Sequence, residues 1–341
     1  MEQSSLSFET LARQALAAYR LKEARLAFIR RMAFIRRMVF IRHGDTIAYQ
    51  VETSARENYL LRLHIPKTQS MGTHGADYSA VNAELLWLEA LCQYTDLVLP
   101  KPIRNQSGAL VTQVQSPEAG KKINCSLLRW VVGDPYRRDL ETSDSAFQIG
   151  EIAAKLHNHA SGWQIPEGFT RPDRDIPYLE NVLQGIQPAV ADGRIRASDY
   201  AVLETSVHLL IEQLRGISKD RRFFGVIHAD MHKGNMLLHK GQIRLIDFSF
   251  CAFGNFMFDL AICMADMKKE LHPAFLAGYQ SLRPLPAGYQ SLIEGFFVGS
   301  MVGTFSYWVS DPVATVLLTR KVPQIVEEYA VKYNQGEHFW F

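Results

Sequence analysis

Apolar residues change their spacing several times along the 341-residue chain, and each change predicts an element. Phe8, Leu11, Ala15 and Tyr19 recur at three- and four-residue steps, so 8–20 reads as an amphipathic helix. Ile47 to Glu52 and Tyr59 to Leu63 read as strands around the polar turn Ser54-Ala55-Arg56-Glu57-Asn58. Helical spacing returns with Val81, Leu85, Leu88 and Leu91. Two more strands, Leu110–Val114 and Cys125–Val131, flank SPEAGKK. After Gly133-Asp134-Pro135 the pattern becomes mainly helical. Phe147, Ile149, Ile152, Ala153 and Leu156 mark a helix ending at His157-Asn158-His159. Residues 161–177, with Pro166, Pro172 and Pro177, read as loop. Tyr200 to Leu214 forms another helix. Phe296 to Val309 is the most apolar run, but its 14 residues fall short of the ~20 needed to span a bilayer. With Gly299, Ser300, Gly303 and Ser306 inside it, it reads as a buried helix. The expected class is therefore α+β, with a sheet-bearing lobe over 1–131 and a helical lobe over 132–341.

Two stretches repeat. AFIRRM (27–32), AFIRRM (33–38) and VFIRHG (39–44) follow each other at a period of six. In a helix Phe28, Phe34 and Phe40 would point three ways. In a strand they would share a face with Arg30, Arg36 and Arg42. Removing 12 residues restores a plain strand, which favours a tandem duplication of one strand motif over a basic aromatic membrane or nucleic-acid patch. AGYQSL also occurs twice, at 277–282 and 287–292, without a functional reading.

The chemistry concentrates in 225–249, GVIHADMHKGNMLLHKGQIRLIDFS. Val226 and Ile227 predict a short buried strand. Met236 to Leu238, the turn Lys240-Gly241, and Ile243 to Ile246 predict a hairpin. Such a hairpin converges Asp230, Asn235 and Asp247. Two carboxylates and an amide oxygen suit Mg²⁺, a hard cation that takes its remaining ligands from water and phosphate. Asp230 can be spared to take a proton from a hydroxyl. The five-residue step from Asp230 to Asn235 is that of the kinase catalytic loop, and Asp247-Phe248 stands where the kinase metal aspartate stands. Two other readings remain open here: a purely structural hairpin, and a zinc site built on His228, Asp230 and His232. His228 reads as a packed brace; His232 fits packing and a place near substrate equally.

His228-Ala229-Asp230-Met231-His232-Lys233-Gly234-Asn235 and Ile246-Asp247-Phe248 resemble the H-G-D-x-H-x-x-N and I-D-F motifs of the aminoglycoside phosphotransferase and type II homoserine kinase superfamily. The resemblance covers most of 40–310, and only the hairpin is sharply specific. It implies a protein-kinase-like two-lobed fold and an ATP-dependent, Mg²⁺-using phosphotransferase. Asp230 would be the catalytic base, and Asn235 and Asp247 the metal ligands. Arg62 falls at the usual strand lysine, with Glu84 as its helix partner, and an Arg keeps its charge and forks onto phosphate. Lys67 is a spare cation, and His43-Gly44-Asp45-Thr46 is placed to cover phosphates. Arg129, Trp130, Val131 and Val132 correspond to the hinge that meets adenine through its main chain. Asp259-Leu260-Ala261 matches a helix start whose Asp braces the loop.

Composition adds limits. Hydrophobic residues make up 47% and charged residues 21%, an ordinary globular balance. A net charge of +2 points away from a nucleic-acid partner. Cys92, Cys125, Cys251 and Cys263 lack metal or disulfide spacing, and MEQSSLSFET is unlike a signal peptide, so a cytoplasmic protein without a membrane partner is expected. Residues 251–341 carry eight acidic and six basic side chains, which favours a neutral or zwitterionic hydroxyl substrate over a polycation. The competing functions are a Ser/Thr protein kinase of the bacterial stress-kinase kind, a nucleotide-binding regulator without turnover, and a metallohydrolase.

Overall fold

The computed structural model describes residues 2–21, 25–29, 46–65, 76–116, 121–217 and 219–341. Helix α1 (Glu2–Ala17) precedes strands β1 (Arg25–Ile29), β2 (Thr46–Glu52) and β3 (Asn58–His64). Helix α2 (Tyr78–Tyr94) follows, then β4 (Val111–Gln115) and β5 (Lys122–Arg129). The five strands form one antiparallel sheet in the order β1-β2-β3-β5-β4. Leu11, Ala12 and Ala15 of α1 pack with Tyr49, Val51, Leu61, Leu63, Cys125 and Leu127 as a small core. The predicted strand ending at Val131 stops at Arg129. There the amides of Arg129 and Trp130 turn to the carbonyls of Lys101 and Asn58. Only the first residues of the hexapeptide repeat lie in β1. The remaining copies, the His43–Asp45 turn and Lys67 lie outside the described residues.

Past the sheet, β6 (Asp134–Pro135) leads to α3 (Ser143–Gly162), β7 (Asp173–Arg174), α4 (Ile176–Ala191) and α5 (Ala197–Arg215). Strands β8 (Phe224–Ile227), β9 (Met236–His239), β10 (Gln242–Leu245) and β11 (Ala252–Asn255) come next. Helices α6 (Met257–Asp266), α7 (His272–Gln280), α8 (Tyr289–Ser310), α9 (Leu318–Ile325) and α10 (Val331–Asn334) complete the chain. This is the protein-kinase-like two-lobed α+β fold: a small sheet over a larger helical body.

Three local expectations change. Helix α3 runs to Gly162, three residues past the expected end at His157-Asn158-His159, and the buried His157 ring finds partners inside: Nδ1 meets the Tyr279 hydroxyl at 3.0 Å and Nε2 meets Asp259 Oδ2 at 3.2 Å. The proline-rich loop ends sooner than expected, since Pro177 occupies the first turn of α4, where its missing N–H costs nothing. Helix α8 starts well before the apolar run. At 22 residues it is long and apolar enough to cross a membrane, yet 83% of its apolar window is buried within the molecule, so the buried-helix reading holds.

Helix α2 belongs to both halves. It lies between β3 and β4 of the sheet in sequence, but Val81, Leu85, Trp87, Leu88 and Leu91 join the larger core with α3, α5, α6 and α8. Helices α3 and α7 approach closely at Gly150 and Gly278, where any Cβ would collide with the opposing backbone. Helix α3 also packs against β8.

Candidate active site

The hairpin forms as expected. Strand β9 pairs antiparallel with β10, and both turn residues take positive φ, Lys240 at 51° and Gly241 at 79°. Strand β8 instead pairs with β11, so the loop from His228 to Asn235 is suspended between two small sheets. Asp259, at the start of α6, holds that loop from beneath. Its carboxylate accepts the amides of His228 at 2.9 Å and Ala229 at 2.7 Å. The expected brace is therefore present, and it is fully buried.

Asp230 is 5% exposed. Asn235 ends a short 3-10 turn, and its Nδ2 donates to the Asp230 carbonyl at 2.7 Å and to Asp230 Oδ2 at 2.8 Å. Both amide hydrogens are thus used, and the side-chain orientation follows from that. Asn235 Oδ1 is buried and has no hydrogen-bond partner among the described residues. A buried, unsatisfied amide oxygen is costly unless something absent from the bare chain supplies the missing contact. The Ile246 amide donates to the Asn235 carbonyl at 2.8 Å, so Asp247 follows one residue after a direct tie to Asn235. Asp247 has φ 63°, and its Oδ1 accepts the Ser249 hydroxyl at 2.6 Å and the Ser249 amide at 3.3 Å. The donor set of one orphaned amide oxygen and one carboxylate fits Mg²⁺.

The histidines hold the loop. His228 Nδ1 accepts the Asp230 amide at 3.3 Å, which leaves the proton on Nε2 to donate to the Ile246 carbonyl, also at 3.3 Å. Its ring packs edge-on against Phe248, and burial pushes its pKa below the ordinary histidine value. With both nitrogens engaged it is a brace and not a zinc ligand. Among the described residues no group of three or more His, Cys, Asp and Glu side chains is placed to hold a metal. His232 Nδ1 accepts the Gly234 amide at 3.0 Å, and Nε2 faces Asp230 Oδ1 at 3.3 Å. Its ring therefore lies against the candidate base, a position that spacing alone left open. Lys233 is tied to Glu141 at 2.6 Å and Asp266 at 3.3 Å, which fixes the middle of the loop.

On the sheet, Arg62 is 7% exposed. Its Nη1 pairs with Glu84 Oε1 at 2.8 Å, and Nε donates to Ser126 Oγ at 3.1 Å on the neighbouring strand. Nη2 is buried and has no partner among the described residues. One forked cation thus keeps a free donor nitrogen, the feature a phosphate oxygen needs. The hinge expectation narrows. The Arg129 side chain turns away to Glu57 at 2.8 Å and lies over Tyr59, and the Arg129 and Trp130 amides are engaged by the sheet side. The Val132 carbonyl accepts Arg244 Nη1 at 2.7 Å. A base edge would be left the Val131 and Val132 amides with the Trp130 and Val131 carbonyls.

The pattern that defines the phosphotransferase enzyme family matches residues 40–292. The chain belongs to that family. A homoserine kinase of Neisseria meningitidis is 30% identical to this phosphotransferase-family chain over 180 residues, 50% of this chain and 54% of the kinase. The alignment thus spans only about half of that relative. The microcompartment-associated aminopropanol kinase superposes with a TM-score of 0.73 at 23% identity, covering 96% of this chain and 98% of that one. An amicoumacin kinase solved with AMP-PNP and Ca²⁺ superposes at 0.71 with 16% identity, covering 99% and 97%. At such identities these two likenesses establish the phosphotransferase fold alone.

Proposed function

We propose that this protein moves the γ-phosphoryl group of ATP to a hydroxyl of a small amino alcohol or a related hydroxyl-bearing molecule. The observation that carries the reading is a pair of buried, unpartnered polar atoms, Asn235 Oδ1 on the loop and Arg62 Nη2 on the sheet. One is an acceptor suited to a cation and the other a donor suited to a phosphate. Family relatives named for homoserine and aminopropanol, both small hydroxy amines, support the substrate class. So does the near balance of charge over 251–341.

Asp230, aimed by Asn235 Nδ2 and His232, takes the proton of the acceptor hydroxyl. Arg62, set by Glu84 and Ser126, binds phosphate oxygens. Val131 and Val132 amides meet the base. Asn235 and Asp247 would hold a Mg²⁺, which neutralises phosphate charge when bound. Most of the catalysis in such chemistry is positioning and charge stabilisation, and the residues that supply both are the rigid ones here.

The test is ATP consumption across amino alcohols, hydroxy amino acids and a generic protein substrate, with nucleotide binding measured in parallel. Asp230→Asn should lower kcat by roughly 10²–10⁴-fold, the share of a general base, and leave Mg²⁺-ATP affinity nearly intact. Asn235→Ala should weaken that affinity. Turnover that survives both changes removes the assignment. A wild type that binds nucleotide and phosphorylates nothing favours a regulatory module, and activity confined to protein favours the stress-kinase reading.

A further inference from the structure

One guanidinium outside the motifs joins the two halves of this site. Arg171 lies in the proline-rich stretch before α4. Its own backbone is anchored, since the next carbonyl, that of Pro172, accepts the Phe253 amide at 2.8 Å and Asp173 pairs with Phe253. From that base its side chain reaches three main-chain oxygens. Nε donates to Cys251 at 2.5 Å, Nη2 to Ser249 at 2.5 Å and Nη1 to Ala80 at 3.0 Å.

Those three acceptors are not a random set. Ser249 is the residue whose hydroxyl and amide hold Asp247 Oδ1. Ala80 lies in the first turn of α2, one helical turn before Glu84, which sets Arg62. Asp247 also sits in the left-handed region at φ 63°, a conformation that L side chains adopt only with local support. Phe248, the next residue, gives apolar support by packing its ring edge-on against Trp87 of the same helix α2, 5.5 Å away. Arg171 gives the polar support, and its donors spread over three nitrogens in one plane.

We infer that Arg171 is a positioning residue that fixes the carboxylate of Asp247 relative to the α2 helix carrying Glu84, and so sets the spacing between the cation ligands and the phosphate-binding Arg62. It touches neither nucleotide nor acceptor. The inference rests on the phosphotransferase reading above and names a residue that the motifs leave out.

The experiment compares wild type, Arg171→Lys and Arg171→Ala by calorimetric titration with Mg²⁺-ATP, by the Mg²⁺ concentration giving half-maximal turnover, and by thermal unfolding. Loss of a group that orients a metal ligand typically costs 10–100-fold in affinity, so Arg171→Ala should bind Mg²⁺-ATP at least about tenfold more weakly and need correspondingly more Mg²⁺. Arg171→Lys, with one nitrogen in place of a three-pronged fork, should fall between. A folded Arg171→Ala or Arg171→Lys with wild-type affinity and wild-type Mg²⁺ requirement overturns the inference, whatever its melting temperature. If Arg171→Ala does not fold, the lysine variant decides on the same two readouts. Failure of the phosphotransferase reading shows differently, in the wild type itself, which would then bind no Mg²⁺-ATP or bind it and phosphorylate nothing.

Discussion

At the scale of single residues, this site is built on two strained positions. Ala229 takes φ 61° where the resembling motif carries glycine. A Cβ in that region costs about 1–2 kcal/mol. The loop keeps the conformation because Asp259 accepts two consecutive amides, those of His228 and Ala229, and each such charge-assisted bond contributes about 1.5–3 kcal/mol. Ala229→Gly should therefore stabilise the fold by about 1 kcal/mol, read from urea denaturation, because it removes the strain and keeps both bonds. A destabilised variant would mean that the Ala229 methyl packs more favourably than its backbone is strained. Residue type and spacing alone reveal Asp230, Asn235 and Asp247, since their chemistry is in their side chains. Arg171 left no such trace. Its partners are main-chain carbonyls of residues 80, 249 and 251, and carbonyls have no sequence signature.

Among the elements, the tie between β3 and α2 matters most for the site. Arg62 and Glu84 are 9% and 3% exposed at their side chains and stand 2.8 Å apart. Removing one member of a buried pair strands the other charge in the interior, at a cost of about 3–5 kcal/mol. Glu84→Leu alone should lose stability on that scale. Arg62→Met with Glu84→Leu should recover a good part of it, because neither charge is then left unpaired. A double variant no more stable than the single one would mean that Arg62 is held chiefly by Ser126. Strands β2 to β5, the β9–β10 hairpin and α2 were readable from their apolar patterns, whereas the two- and four-residue strands β6, β7 and β11 are too short to show one. Helices α4 and α7 were not readable either. Pro177 punctuates like a loop, and α7 is held by close backbone approach to α3 at Gly150 and Gly278, which no hydrophobic period announces. The hexapeptide AGYQSL makes the same point, since its first copy ends α7 and its second opens α8.

Across the whole molecule, the larger core takes in α2, so the lobes share a helix that touches Arg62 through Glu84, Phe248 through Trp87 and Arg171 through the Ala80 carbonyl. That core also encloses ionisable groups, which gives it a pH signature. Burial pushes His157, His228 and His272 below the ordinary histidine value, and His159 down to about 4 from 6.5. His159 lies between Tyr94 and Trp163, and neither buried ring nitrogen has a partner among the described residues. In the unfolded chain these rings take up protons near 6.5, while in the native fold they resist until lower pH. The unfolded state thus binds more protons across that window, and stability falls as pH falls. For His159 the loss accrues between 6.5 and about 4. The ion-paired surface carboxylate Asp96 does not share that window. Asp96, lowered by its hydrogen bond to Lys155, loses its contribution only below the ordinary carboxylate value of 3.8. The urea midpoint should therefore decline well before Asp96 titrates. His159→Phe keeps an aromatic ring between Tyr94 and Trp163 without a titrating nitrogen, so its decline over the same range should be shallower than that of wild type. Parallel curves for the two proteins would show that His159 is protonated as easily in the native fold as in the unfolded chain.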